Sequence, residues 1–218
     1  CIISGASFGV HAGDKIGILG INGSGKTTLL RILSAVIPPN SGTITPRKDL
    51  KIAYLEQDPQ FLPESCVMDH VVHNDPKEQK PDHLYKALLT KMGIETYDKP
   101  MHLLSGGQRR KVDIAKTLAN EPDLLVMDEP TNHLDLDTIE WLQDYLATMK
   151  TSLIFVTHDR YFLDSVCNRI FEIERAKLYF YEGNYSDYVK GKILRQQDSQ
   201  RKETRRQAQL DKELAWLA

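Results

Sequence analysis

The chain has 218 residues, 41% of them hydrophobic, with three cysteines (Cys1, Cys66, Cys167) and a formal net charge of −2. That is enough for one large buried core or a core with an appendage, and the charge excludes a polyelectrolyte, so a nucleic-acid partner would need a local basic patch. Cysteines odd in number and without C-x-x-C spacing argue against a disulfide framework and a zinc site, and no apolar run nears the roughly 18 residues that cross a bilayer.

No signal peptide opens the chain, and a cytoplasmic location is expected. Cys1 leads almost at once into Ala6-Ser-Phe-Gly-Val10, which reads as a strand already under way, so the chain is read as a fragment. A second strand follows the turn Ala12-Gly13-Asp14. Its apolar run Lys15-Ile-Gly-Ile-Leu19 suits burial on both faces. Directly after it, Gly20-Ile21-Asn22-Gly23-Ser24-Gly25-Lys26-Thr27 fits G-x-x-x-x-G-K-[ST]. Glycines in that spacing let successive backbone N–H groups turn into one concavity and cradle phosphate oxygens. Lys26 supplies a point charge for the β- and γ-phosphates, and the Thr27 hydroxyl can ligate Mg²⁺. Leu29, Ile32, Leu33 and Val36 then recur at helical spacing until Pro38-Pro39. Strand, glycine loop and helix are the context that the motif requires.

Ser41-Gly-Thr-Ile-Thr45 and Lys51-Ile-Ala-Tyr-Leu55 read as β segments. From Gln57 to Leu104 the pattern becomes weakly helical. Met68, Val71 and Val72 suggest one helix, and Leu84, Ala87, Leu88 and Lys91 the face of another, with a polar two-proline loop at 73–82 between them. Ser105 with Gln108 three residues on forms a capping box, and Val112, Ala115, Leu118 and Ala119 line the inner side of the helix it starts. A helix start of this kind is an anion site, and an ordinary cap explains the same residues equally well.

Asp123-Leu-Leu-Val-Met127 is a buried strand running straight into Asp128-Glu129-Pro130. Asp135 caps a helix lined by Ile139, Leu142, Leu146 and Met149, and Leu153-Ile-Phe-Val-Thr157 is a further buried strand ending at His158. Alternating strands and helices indicate an α/β fold with a parallel sheet, whose ligand crevice lies at the carboxyl ends of the strands. Asp128, Glu129 and His158 all stand at such ends. Asp128 can hold Mg²⁺ there, and Glu129 can polarise the water that attacks a γ-phosphate. Arg169–Ile173 and Lys177–Tyr181 read as a closing hairpin. Beyond Gly183 the composition shifts: residues 190–213 hold eight Lys/Arg and four Asp/Glu, as a solvated helix does.

Together these segments resemble the ATP-binding cassette (ABC) ATPases. Gly20–Thr27 matches the Walker A loop, Gln57 the Q-loop, Leu104-Ser-Gly-Gly-Gln108 the signature motif and Leu124–Glu129 the Walker B strand. Asn132-His-Leu-Asp135 matches the D-loop and His158 the switch histidine. The resemblance covers roughly residues 5–182 with the motifs in order. It implies a P-loop NTPase fold with a small antiparallel β subdomain, a helical subdomain at about 58–104, a cassette over 1–185 and a linker helix from 186 to 218. It implies an enzyme that hydrolyses ATP to ADP and phosphate, with ATP and Mg²⁺ as cofactors. Glu129, His158 and Gln57 would be catalytic. Gly20, Asn22, Gly23, Ser24, Gly25, Lys26, Thr27 and Thr28 would bind nucleotide in this cassette. Ser105, Gly106, Gly107 and Gln108 would meet the nucleotide of a second cassette packed head to tail, in the same full-length chain or in a homodimer. Thr27, Gln57 and Asp128 would surround the metal. A half with one Walker A loop would hydrolyse weakly alone, and the adenine-stacking aromatic would precede Cys1.

Within the family, Glu129-Pro-Thr-Asn-His-Leu-Asp135 and His158-Asp-Arg160 look like the ABC-F branch, soluble proteins with paired cassettes and no membrane domain. Gly183-Asn-Tyr-Ser-Asp-Tyr188, the charged helix and Lys212-Glu-Leu-Ala-Trp216 are most similar to the Uup type. That branch acts on the ribosome and RNA in translation, and its Uup type is associated with DNA. An ABC transporter ATPase subunit is the alternative from another class, and a DNA-binding ABC ATPase is a third, since the same basic helix would serve it. On a helical wheel Arg195, Lys202 and Arg206 share one side, spaced for successive phosphates, and Arg201 and Arg205 form the adjoining row.

Overall fold

The computed structural model describes residues 3–72 and 79–217, with side chains as far as residue 209. The polar loop expected at 73–82 therefore falls largely outside the described residues, as do the side chains of Leu214, Trp216 and Leu217.

Six strands form one sheet: β1 (Lys15–Gly20), β2 (Ile52–Leu55), β3 (Leu124–Asp128), β4 (Ser152–Val156), β5 (Arg169–Glu174) and β6 (Lys177–Glu182). Their order is β2-β3-β4-β1-β5-β6, all parallel except the antiparallel β5–β6 pair. The helices are α1 (Lys26–Leu33), α2 (Val67–Val71), α3 (Asp82–Lys91), α4 (Gly106–Ala119), α5 (Leu136–Thr148), α6 (Arg160–Val166) and α7 (Tyr185–Leu217). The alternation of the strands splits the core in two. Ile16, Ile18, Leu124, Val126, Ile154 and Val156 point to the side that α1 covers with Leu29 and Leu30. Leu125, Met127, Leu153, Phe155 and Ile170 point to the other side, which α4, α5 and α6 cover. A sheet buried on both faces is why β3 and β4 read as unbroken apolar runs.

Four expectations change. Residues 6–10 form no strand; Phe8 and Val10 do turn the same way and pack on the α1-side core, with Phe8 5.1 Å from the Phe171 ring, so the alternation reflects burial and not a ladder. Residues 41–45 are not a strand either: all are exposed and offer nothing to hold a pairing partner. The antiparallel part of the sheet is therefore the β5–β6 hairpin alone among the described residues. α1 stops at Leu33, before the prolines, because Ala35 takes a φ of 57°. In α3 the buried residues are Tyr85 and Leu89, while Leu84 is exposed, so its face is turned by one position from the expected one.

The inner face of α4 and the caps at Ser105 and Asp135 are as expected: Val112, Ala115, Leu118 and Ala119 are buried, and each cap accepts a backbone N–H three residues on. Helix α6 was not anticipated, although Asp159 as cap followed by Phe162, Leu163 and Val166 at helical spacing is a legible signal. The start of α7 belongs to the folded body. Tyr188 is buried in the core, and Glu172 of β5 binds Lys192 and Arg195.

Candidate functional site

The strand order β3-β4-β1 places three loop starts side by side. Ile18 of β1 and Asp128 of β3 both pair with Val156 of β4, so they stand level across the sheet. The residues just beyond that row are the glycine loop, Glu129 and His158, gathered at the carboxyl edge. Chain order alone does not give this neighbourhood; β4 inserted between β1 and β3 does.

The loop at 20–27 wraps tightly. A Cβ on Gly20 would lie 2.5 Å from Ser24 Oγ and 2.9 Å from the Ile173 carbonyl, so no larger residue fits there. Gly25 enters α1 with a φ of 95°. Lys26 Nζ donates to the carbonyls of Gly20 (2.9 Å) and Ile21 (3.2 Å), closing the loop on itself. Thr27 hydrogen-bonds the Asp128 carboxylate, which joins the loop to the end of β3. Asn22 and Gly23 are exposed and Thr28 half-buried.

Asp128 and Glu129 are 1% and 6% exposed. Burial pushes both carboxyls above their ordinary range. For Asp128 the Thr27 hydrogen bond and the charges of Arg110 and Lys26 oppose the shift, and for Glu129 His158 does. His158 Nε2 stands 3.3 Å from Glu129 Oε1, and the His158 backbone N–H donates to the same carboxylate. Glu129 itself has a φ of 50°, a left-handed conformation that costs a non-glycine residue about 1 kcal/mol or more.

Among the described residues, Ser24 Oγ, Asp128 Oδ2 and Glu129 Oε2 are buried at this edge without hydrogen-bond partners. Orphaned polar atoms are costly and rare, and together around a phosphate-type loop they fit a ligand that brings both donors and acceptors. Thr27 and Asp128 offer two hard oxygens, as Mg²⁺ with phosphate ligands requires. ATP and Mg²⁺ thus suit the residues present. Gln57, two residues past β2, is exposed, and its carbonyl is taken by Arg110.

Ser105, Gly106, Gly107 and Gln108 do not join this group. They begin α4, on the opposite side of the sheet from α1. Ser105 Oγ accepts from the Gln108 backbone at 3.2 Å, and Gln108 Oε1 accepts from the Ser105 backbone at 3.1 Å. Ser105, Gly106 and Gln108 are exposed, so the start of α4 faces outward. The chain's own contact falls on Gly107, where a Cβ would meet the His133 carbonyl at 2.5 Å.

One residue of this neighbourhood escaped the sequence reading. Arg110 lies in a run of charged residues, yet it is 5% exposed and reaches the backbone at both Glu56 and Glu129. The expected row of phosphate-facing cations also needs correction. Arg195 is bound to Glu172 (3.0 Å) and Glu174 (2.5 Å), with its guanidinium 3.7 Å from the Tyr179 ring centroid. A buried carboxylate on β5 takes it from solvent, while Arg201, Lys202, Arg205 and Arg206 further along α7 are exposed.

Two family models, both described as ABC transporter, match residues 3–132 and 171–218. An uncharacterized ABC transporter ATP-binding protein of Bacillus subtilis, YfmR, is 38% identical with 97% of this chain covered. The energy-dependent translational throttle protein EttA of Escherichia coli is 33% identical with 99% covered. The chain spans 40% and 46% of the lengths of these two relatives. Among solved structures, archaeal ribosome recycling factor aABCE1, in complex with the ribosomal stalk protein aP1, superposes with a TM-score of 0.66 at 29% identity. That match covers 78% of this chain and 34% of that one. The dimeric cassette MJ0796 bound to ADP and Pi superposes with a TM-score of 0.69 at 22% identity over 83% of this chain and 90% of that one, a likeness of fold. With the mixed sheet, the phosphate-type loop beside two buried carboxylates and a family model spanning more than half its length, the chain belongs to the ABC ATPase family.

Proposed function

We propose that the chain is the ATP-binding and ATP-hydrolysing cassette of a cytoplasmic ABC-F protein that works on the ribosome during translation. The observation that carries the reading is α7. It leaves the cassette as a helix anchored at its base by Glu172 and studded further out with exposed cations, and its relatives include a translational throttle. No helix among the described residues is long and apolar enough to cross a membrane.

In this reading the loop N–H groups and Lys26 bind the β- and γ-phosphates. Mg²⁺, held by Thr27 and Asp128 with Gln57 nearby, would neutralise charge on those phosphates. Glu129 orients a water and takes its proton as the water oxygen bonds to the γ-phosphorus and the bond to the ADP oxygen breaks. A carboxyl raised by burial is the more competent base near neutral pH. His158, 3.3 Å away, keeps Glu129 turned towards the crevice. Ser105, which is exposed, and Gly107 beside it would complete the site of a second cassette, as a dimeric neighbour of this fold makes feasible.

Ribosome pelleting with Mg·ATP tests this over a salt series. Binding should weaken with a log–log slope near −0.7 to −0.9 per phosphate neutralised. Replacing Arg201, Arg205 and Arg206 by Gln should flatten it by about two to three such units and leave ATP binding intact. A chain that binds ATP but no ribosome would favour the transporter-subunit reading, to which the name of the Bacillus relative points.

A further inference from the structure

Arg110 sits one turn into α4 with no part in the reaction described so far. Its four terminal N–H groups are all engaged. Nη1 donates to the carbonyls of Glu56 (2.5 Å) and Gln57 (3.3 Å), and Nη2 to those of Asp128 (2.6 Å) and Glu129 (2.8 Å). Nε–H alone has no partner. All four acceptors are main-chain oxygens, so the guanidinium fixes the path of two backbones and no side-chain rotamer.

The two oxygens on the β3 side belong to the peptide units on either side of the Glu129 Cα. That residue holds a φ of 50°, and strained backbone of this kind persists only where its surroundings over-determine it. The Glu129 N–H donates to Val156 (2.9 Å), and Arg110 supplies the opposing grip. On the β2 side the same fork holds the turn that carries Gln57. The rest of the first turns of α4 is tied to the neighbouring loop: Lys111 Nζ meets Asp135 Oδ2 at 2.5 Å, and Gly107 abuts the His133 carbonyl. Burial lowers the Arg110 pKa, and the charges of Asp113, Asp128, Asp58 and Glu129 oppose this; an arginine so placed stays protonated. Its rigid planar fork can span two loops as a lysine ammonium cannot.

We infer that Arg110 is a positioning residue that holds the base Glu129 and the Gln57 turn in one fixed relation to the start of α4. Any shift of that helix start is thereby passed to the hydrolytic carboxylate. The inference rests on the hydrolytic reading above and goes beyond it by naming the strut between the outward-facing helix start and the crevice.

Arg110→Met and Arg110→Lys test it by two independent readouts. In hydrogen exchange, the Met variant should lose about ten-fold or more protection at residues 128–132 and 57–58, while β1, β4 and β5 keep theirs. In hydrolysis, kcat should fall about 10- to 100-fold with KM for ATP held within about two-fold, as expected when a reacting group is misplaced by around an ångström. The Lys variant should recover part of both effects. Unchanged local exchange and unchanged kcat would overturn the inference. So would protection lost evenly across the sheet, which would make Arg110 a general structural tie. A parent that fails to hydrolyse ATP even when paired with a second cassette would overturn the ATPase reading instead, and the exchange pattern would then decide on Arg110 by itself.

Discussion

Glu129 and Glu172 are both buried carboxylates at the same sheet, 6% and 3% exposed, and the protein treats them in opposite ways. Glu172 is saturated. Its Oε1 accepts from Tyr188 (2.8 Å) and Lys192 (2.5 Å), and its Oε2 from Tyr181 (3.2 Å) and Arg195 (3.0 Å). Burial works against its ionisation, but the bonds from Lys192 and Tyr188 and the charges of Lys192 and Arg195 outweigh it, so its pKa lies below the ordinary range. Glu129 keeps Oε2 unpartnered, and burial leaves its pKa above that range. A carboxylate given every partner is a fastener, here riveting α7 to the β5–β6 hairpin. In the proposed reading, one left short is held for a reactant, at a cost in stability.

The largest expected effect breaks the comparison on the reactive side. Glu129→Gln should retain Mg·ATP and lose about 10²-fold or more of hydrolysis, the usual contribution of one positioned proton-transfer group. Steady-state turnover beside equilibrium binding checks it, and a variant turning over at the parent rate would remove Glu129 as base. The acid limb of the parent's pH–rate profile should sit above the ordinary glutamate value of about 4.3, because a raised carboxyl is still protonated where an exposed one has ionised.

The grouping of residues at the candidate site was legible because phosphate chemistry restricts residue types: glycines, one lysine and two adjacent acids in fixed spacing leave few other uses. What lay hidden is where tertiary contact reassigns a residue of ordinary appearance. Arg109, Arg110 and Lys111 read alike in sequence, and only the fold sends the middle one inward. Arg195 looks like its neighbours on the α7 wheel, and its capture depends on Glu172, itself concealed in the alternation of β5. Residues 41–45 carry strand-forming side chains, but the fold gives them no surface to bury, and propensity alone makes no ladder.

On the fastening side, Glu172→Gln should cost about 1.5–3 kcal/mol at neutral pH, the range for hydrogen bonds to a charged group, partly offset because Lys192 and Arg195 can turn to water. The sign with pH follows from the depressed folded pKa. The stabilisation is present above the unfolded glutamate value and lost as pH falls through the folded one. Denaturant unfolding of both proteins should show the gap near pH 7 and its closure in acid, together with faster hydrogen exchange at the start of α7. An equal gap at every pH would mean that Glu172 acts through packing and not through its charge.

The smallest effect has the opposite sign and sharpens the contrast. A carboxyl whose folded pKa is raised destabilises the folded state once it is ionised, so this penalty is absent below the unfolded pKa and complete above the folded one. Glu129→Gln removes the ionisation while keeping an oxygen to accept the His158 N–H. The variant should therefore be more stable than its parent at neutral pH, by about 0.5–1 kcal/mol, in the range of other stabilising changes at strained functional positions. Near pH 4 the two should unfold alike. Thermal melts at the two pH values decide it, since a gain that persisted in acid would come from repacking and not from the charge. A loss at neutral pH would mean that His158 and Lys26 already hold the Glu129 anion at a profit, and the division between fastener and reactive carboxylate would fail.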